Sequence, residues 1–298
     1  MRIADAFAEG PTVSFEFFPP KTPDAEGRLY ETVERLAPLK PTFVSVTYGA
    51  GGATRRLTID IVRRIKRDSG IEAMAHLTCV GVSKQELTEL IAVICDAGIT
   101  NVLALRGDPP RGQREFVAHP DGLTHASDLI RLAREVSDQR GVKLCIGGAC
   151  YPEGHLETRD LAQDLRHCKT KVEAGAEFLI TQLFFDNRHY FDFVGRARAS
   201  GIDVPILPGI MPITNVDQIE RFTAMCGAQI PPMLAAALRA RRADPESALQ
   251  LGVAYATLQC ADLLRRGAPG IHFYTLNRSS ATRAILAALR AMEPWRET

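Results

Sequence analysis

Eight short apolar runs, rich in β-branched and aromatic residues, alternate with segments whose apolar residues recur at helical spacing, and no other feature constrains the fold of this chain as strongly. The runs cover residues 14–18, 43–47, 73–77, 101–105, 143–149, 178–182, 205–210 and 271–274. Helical patterns follow at about 24–36, from Thr54, from Ser83, from Ser127, at 160–174, at 189–199, from Asn215, at 245–266 and at 280–292. Their ends carry readable signals. Pro38 and Pro41 close the first helix. Thr54 is placed to cap the second, in which Leu57, Ile61 and Ile65 recur at spacing four. Ser83 with Glu86 three residues on forms a capping-box pattern, and Gly98 and Gly175 stop two later helices. Eight strands, each followed by a helix, with the first three starting about thirty residues apart, predict a closed (β/α)8 barrel of the TIM type rather than an open doubly wound sheet. No G-x-G-x-x-G follows a strand, and no linker or shift in composition interrupts the chain, so a single domain over 1–298 is expected.

Bulk properties remove several classes of function. The 298 residues carry a net charge of +1 with no long run of one sign, which gives no electrostatic footprint for nucleic acid. The opening Met1-Arg2-Ile3-Ala4-Asp5 lacks the apolar core of a secretory signal, and no apolar run is long enough to span a membrane. Seven cysteines, an odd number without a C-x-x-C pair, fit a reduced cytoplasmic setting better than a disulfide framework or a zinc site.

Barrels of this kind place their chemistry at the carboxyl ends of the strands. Those ends supply Glu16, Thr47-Tyr48-Gly49-Ala50, His76, Arg106-Gly107-Asp108, Tyr151 with Glu153 and His155, Gln182 with Asp186, Pro208-Gly209-Ile210, and Thr275-Leu276-Asn277-Arg278. Each has an ordinary structural reading. His76 could be a hydrogen-bonded core histidine, Arg106 and Asp108 could pair with each other, and Lys171 could be a solvated charge at a helix end. Together they make a convergent polar rim, which is what a ligand site needs. No H-x-x-x-H and no G-x-S-x-G is present, which argues against a metallohydrolase or a serine hydrolase and points to an organic cofactor worked by acids and amides.

Glu16 is the residue whose placement says most. Strand alternation sets Val13, Phe15 and Phe17 on one face and Ser14, Glu16 and Phe18 on the other, and Pro19-Pro20 end the strand. A carboxylate among aromatic rings either finds a partner or holds a proton. The first outcome makes Glu16 structural; the second makes it a general acid.

The ordered motifs Phe15-Glu16-Phe17-Phe18-Pro19-Pro20-Lys21, Val46-Thr47-Tyr48-Gly49-Ala50, His76-Leu77-Thr78-Cys79, Leu105-Arg106-Gly107-Asp108, Tyr151-Pro152-Glu153, Ile180-Thr181-Gln182, Pro208-Gly209-Ile210 and His272-Phe273-Tyr274-Thr275-Leu276-Asn277-Arg278 resemble methylenetetrahydrofolate reductase over about residues 13–290. That resemblance implies an FAD at the carboxyl rim, reduced by NADH or NADPH and reoxidised by 5,10-methylenetetrahydrofolate in a ping-pong cycle whose product, 5-methyltetrahydrofolate, supplies methyl groups for methionine synthesis. By matching residue to residue it implies Glu16 as the acid that opens the folate ring and Asp108 as the carboxylate that stabilises the resulting cation. Thr47, Tyr48, Ala50, His76, Arg106, Gly107, Asp108, Ala126, Tyr151, His155, Asp164, His167 and Lys171 are implied to line the cofactor sites. Gln182, Gln218, Phe222 and Arg278 are implied to hold folate, the guanidinium fork of Arg278 suiting the carboxylates of its glutamate tail.

His125, His167 and Thr170 depart from the family pattern, standing where relatives carry Tyr, Asn and Arg, all toward the phosphate and adenosine end of the cofactor. Larger members carry a C-terminal regulatory domain that senses S-adenosylmethionine, for which 298 residues are expected to leave no room. The family is commonly oligomeric, so a homo-oligomer is expected. Two other readings stand beside this one: a different FAD barrel, such as a proline dehydrogenase relative, and a non-redox folate-binding barrel.

Overall fold

The computed structural model describes residues 1–48, 52–109, 116–158 and 160–296, and the side chains of 52–55 lie outside that description. Parallel strands form one ring. In chain order they are β1 (Thr12–Phe17), β2 (Phe43–Val46), β3 (Ala73–Thr78), β4 (Asn101–Leu105), β5 (Cys145–Cys150), β6 (Phe178–Thr181), the half-strands β7 (Ile206–Leu207) and β8 (Gly209–Ile210), and β9 (Gly270–Tyr274). Their spatial order is β7-β6-β5-β4-β3-β2-β1-β9-β8. The two ends of that order are consecutive in the chain, separated only by Pro208, so the sheet closes as the expected barrel.

The helices are α1 (Ile3–Ala6), α2 (Pro23–Leu36), α3 (Gly52–Ser69), α4 (Lys84–Asp96), α5 (Ala126–Gln139), α6 (Leu161–Glu173), α7 (Asn187–Ala199), α8 (Val216–Cys226), α9 (Pro232–Arg239), α10 (Pro245–Arg265) and α11 (Ser280–Met292). The capping box of Ser83 and Glu86 is formed in both directions, and Asn215 Oδ1 accepts from the backbone N–H of Gln218. The side chains of Asp160 and Asp186 likewise cap α6 and α7. Among the described residues no helix is long and apolar enough to cross a membrane.

Four local expectations change. Helix α3 begins at Gly52, so Thr54 lies in its first turn and not at its cap. Helix α5 begins at Ala126. Helices α1 and α9 are additions that no periodic pattern announced, α1 because it has only four residues. The seventh strand is broken in two. Proline has no N–H to offer the ladder, so Pro208 interrupts it. Residues before the break pair with β6 (Leu179↔Ile206, Ile180↔Leu207), and residues after it pair with β9 (Gly209↔His272, Ile210↔Phe273).

Alternation along the strands sorts the interior. Phe15 and Phe17 face outward and are fully buried with Leu29 and Val33 of α2. Burying each ring contributes on the order of 2 kcal/mol. Inside the barrel the amino-terminal end is apolar: Phe43, Met74, Leu103, Cys145, Phe178 and Leu207 fill it, and Ile3 of α1 plugs it from below. The backbone N–H of Ile3 reaches Asn101 Oδ1 at 2.8 Å, and the rings of Phe7 and Phe178 lie 5.8 Å apart. Apart from Asn101, which ties down α1, the buried polar side chains inside the barrel include Ser14, Glu16, Ser45, His76 and His272, with Glu16 and His76 toward the carboxyl ends of their strands. Phe18 does not share that interior; it lies beyond the end of β1 and is exposed.

Closure at the break depends on a missing side chain. The N–H of Gly209 donates to Thr181 Oγ1 at 2.9 Å, and the Tyr274 hydroxyl crosses to the Thr181 carbonyl at 2.6 Å. A Cβ on Gly209 would sit 2.4 Å from that carbonyl and 2.6 Å from the Tyr274 ring. Gly209→Ala is expected to lower stability by about 1–3 kcal/mol through overpacking, read as a lower urea midpoint, and an unchanged midpoint would count against this account of closure.

Candidate active site

Glu16 ends the inward-facing row of β1 and is buried. The parallel register sets Ser14 opposite His272 and Glu16 opposite Tyr274. That register brings the His272 ring beneath the carboxylate, with Nε2 3.3 Å from Glu16 Oε2 and Nδ1 2.8 Å from Ser14 Oγ. From the other side His76 Nε2 lies 3.3 Å from the same Oε2, without hydrogen-bond geometry. Burial pushes the Glu16 carboxyl up, but the charge of His76 and the hydrogen bond and charge of His272 outweigh it and leave the group below the usual carboxylate range. Burial pushes His76 down; Glu16 pulls it back only in part, and His272 adds to the downward push. Both groups thus give up their protons readily, which leaves a carboxylate beside a neutral His76 ring near neutrality. Of the two outcomes open for Glu16 in the sequence, a partner or a held proton, the structure gives the first. The rings of Phe15 and Phe17 face the helices, and Glu16 has partners.

The same heavy atoms accept a second proton pattern. In the first, the Ser14 hydroxyl donates to His272 Nδ1 and Nε2–H donates to the Glu16 carboxylate. In the second, Ser14 donates to the Ile271 carbonyl, 3.5 Å away, His272 Nδ1–H donates to Ser14 Oγ, and a protonated Glu16 donates to Nε2. The second pattern holds one proton more, so Glu16 can take up and release a proton without moving.

Around this centre the rim divides by element. After β4, Arg106 makes a two-pronged ion pair with Glu157 (2.8 and 2.6 Å) and lies over the Phe116 ring, so it does not pair with Asp108. Asp108 is exposed, and its charge helps burial to push the Tyr151 phenol up. Gly107 adopts φ +90, where a Cβ would meet the Val80 side chain at 2.6 Å. After β5, the Tyr151 and His155 rings stand edge to face at 4.7 Å, and Lys171 Nζ is 6.0 Å from the Tyr151 ring. Lys171 is not a solvated end charge: it donates to the Ala149 carbonyl at 2.6 Å. Asp164, buried in the first turn of α6, accepts from the His155 backbone N–H at 2.6 Å and from Thr158 Oγ1 at 3.1 Å. Burial pushes His155 down. Glu153, also pushed up by burial, accepts from the Gln229 N–H at 3.2 Å and lies 3.4 Å from His189 Nε2.

The remaining sequence-derived residues that the structure describes are carried on separate elements. Thr47 and Tyr48 follow β2 and are half-buried, while Ala50 lies outside the described residues. Ala126 opens α5 and is buried. His167 on α6 meets His125 edge to face at 6.1 Å. Gln182 follows β6 and accepts from the Leu183 N–H at 2.9 Å. Gln218 and Phe222 are half-buried on α8, and Arg278 is exposed beyond β9. Sequence reasoning gave no role to Ser14, Ser45 or His272. The signal for His272 lay in its alternation with the outward-facing Ile271 and Phe273; its pairing with Ser14 is a cross-strand register that no local pattern encodes.

A family model for methylenetetrahydrofolate reductase matches residues 2–290. The 5,10-methylenetetrahydrofolate reductases of Pectobacterium carotovorum subsp. carotovorum and Escherichia coli strain K12 are each 41% identical over 277 residues, which is 93% of this chain and 89% and 90% of theirs. Methylenetetrahydrofolate reductase (NADH) 1 of Arabidopsis thaliana is 38% identical over 99% of this chain, which spans 52% of that relative's length. In structure the chain resembles a Clostridium thermocellum protein described as binding two copies of 5-methyl-5,6,7,8-tetrahydrofolic acid, with a TM-score of 0.63 at 17% identity over 97% of this chain and 98% of that one. That likeness bears on the fold.

The coupling between the buried groups is measurable. Because Glu16 pulls the His76 pKa upward, Glu16→Gln is expected to make His76 titrate lower than in the unsubstituted chain, as followed by histidine ring NMR. A His76 titration that stays put or rises would show that the carboxylate does not act on it.

Proposed function

The chain belongs to the methylenetetrahydrofolate reductase family, and from that premise we propose that it reduces 5,10-methylenetetrahydrofolate to 5-methyltetrahydrofolate with FAD as cofactor and NADH or NADPH as reductant. The single observation that carries the reading is the proton-holding line Ser14–His272–Glu16 at the carboxyl mouth of the barrel.

The residues present fit FAD. His76 Nε2 is buried without a hydrogen-bond partner. Arg106 and Lys171 bring positive charge to the rim, Arg106 now paired with Glu157 and Lys171 with the Ala149 carbonyl, and His155 adds a neutral ring, a donor set that suits a dinucleotide diphosphate. Helix α5 starts at the same rim with no side chain capping its first turn. When bound, FAD supplies hydride transfer, in alternate half-reactions from the nicotinamide and to the methylene carbon.

The chain's own residues supply the rest. The methylene carbon becomes an acceptor only once the five-membered ring opens to an iminium cation, and opening requires a proton on the leaving nitrogen. Glu16 delivers that proton once ligand binding has shifted the line to its protonated pattern. A flat ligand across the mouth extends the burial that already pushes Glu16 upward, favouring the protonated pattern of the line. Asp108 sets a negative charge near the developing cation. Gln182 and Gln218 bind folate through their amides, Phe222 stacks on it, Arg278 takes the glutamate tail, and Thr47 meets the nicotinamide. The overall reaction consumes one hydride and one proton, and Glu16 is the group assigned to the proton.

Glu16→Gln is expected to keep the yellow cofactor and its bleaching by the nicotinamide while slowing reoxidation by methylenetetrahydrofolate by about 10²-fold or more. Anaerobic stopped-flow traces of the two half-reactions separate these effects. Unimpaired reoxidation removes Glu16 from the acid's role, and a purified chain that takes up no FAD overturns the reading as a whole.

A further inference from the structure

The backbone ladder between β1 and β9 ends at the pair Glu16↔Tyr274. Beyond it one side chain continues the sheet. The Asn277 carboxamide accepts from the Phe18 N–H at 2.8 Å and donates to the Phe18 carbonyl at 2.9 Å, the pair of bonds that a neighbouring strand would have made. The rest of Asn277 is equally engaged. Its N–H donates to Thr275 Oγ1 at 3.2 Å, Thr275 Oγ1 donates to the Glu16 carbonyl at 2.5 Å, and its own carbonyl accepts from Thr32 Oγ1 of α2 at 3.3 Å. Leu276 and Asn277 hold φ at 51 and 58, a left-handed pair that asparagine tolerates and leucine resists. A conformation of that kind persists only where its surroundings over-determine it. Here they do, through the two bonds to Phe18 and the bond to Thr275, while Thr32 Oγ1 shares its one proton between the Asn277 carbonyl and the nearer Arg28 carbonyl at 2.8 Å.

The position of this clamp is informative. Phe18 is two residues beyond Glu16, and Arg278 is the residue after Asn277. We infer that Asn277 is a positioning residue, which fixes the tail-binding Arg278 relative to the proton-holding Glu16. This rests on the folate reading above, in which the pterin end of one ligand meets Glu16 and its glutamate end meets Arg278. Asn277 touches neither substrate nor cofactor in this role; it sets the span that a single ligand bridges.

The test is Asn277→Gly, which keeps the left-handed backbone accessible and removes the carboxamide. In the FAD-loaded chain, the KM for methylenetetrahydrofolate is expected to rise by about tenfold, with the nicotinamide half-reaction close to that of the unsubstituted protein. In an Arg278→Ala background the same substitution is expected to add little to KM, because the anchor it positions is gone. Additive KM effects, or a parallel fall in both half-reactions, overturn the inference in favour of a merely structural role. Amide exchange reads the clamp directly: Phe18 is expected to lose protection in Asn277→Gly, and retained protection also overturns it. An unsubstituted chain whose bound flavin is reduced but never reoxidised by methylenetetrahydrofolate overturns the folate reading and this role together. Additive KM effects in an active enzyme overturn this role alone.

Discussion

A carboxylate enclosed by two imidazoles inside a barrel is the interaction on which this structure turns. Removing an ion of that size from water costs several kcal/mol unless partners replace the lost hydration. The partners of Glu16 are His272, held from behind by Ser14, and His76 from β3, one strand beyond β2. The arrangement is polar enough to keep a charge despite burial, and its second hydrogen-bond pattern gives an incoming proton a place to sit. A lone buried carboxyl would hold its proton too firmly, and a solvated one would release it to water.

The barrel makes this enclosure by separating two kinds of interior. Aromatic and aliphatic side chains fill the amino-terminal half and α1 closes it, so solvent and ligands can reach only the carboxyl half. Ring closure supplies the other requirement. Pro208 breaks the seventh strand, its carbonyl accepts from the His272 N–H at 2.9 Å, and Tyr274 crosses to Thr181 above it. The bonds that close the barrel therefore also fix the strand that carries His272. A fold-level constraint and a site-level one share the same few residues.

Much of this was legible in the chain. The eightfold alternation of period-2 and helical segments gave the barrel because each pattern has one way to bury its apolar face. Ser83 with Glu86, Asn215 and Gly175 marked helix ends because capping is local chemistry. Glu16 stood out because it is a charged residue at an inward position of an apolar strand. Its protonation state was not legible, because that depends on His76 and His272, sixty and more residues away in sequence and opposite only through register. Arg106 was equally opaque: Asp108, two residues on, was the obvious partner, but the loop after β5 presents Glu157 in a two-pronged geometry.

The sequence by itself determined the order of elements, the inward or outward sense of each strand residue and the motifs that belong to the family, because periodicity, capping and motif spacing act over a few residues of chain. Tertiary structure alone decided which polar groups meet: the Glu16–His272–Ser14 line, the Arg106–Glu157 pair and the break at Pro208 that joins β6 to β9. Those depend on parallel register and on closure of the ring, which are properties of strands far apart in the chain and become definite only when the whole barrel has formed.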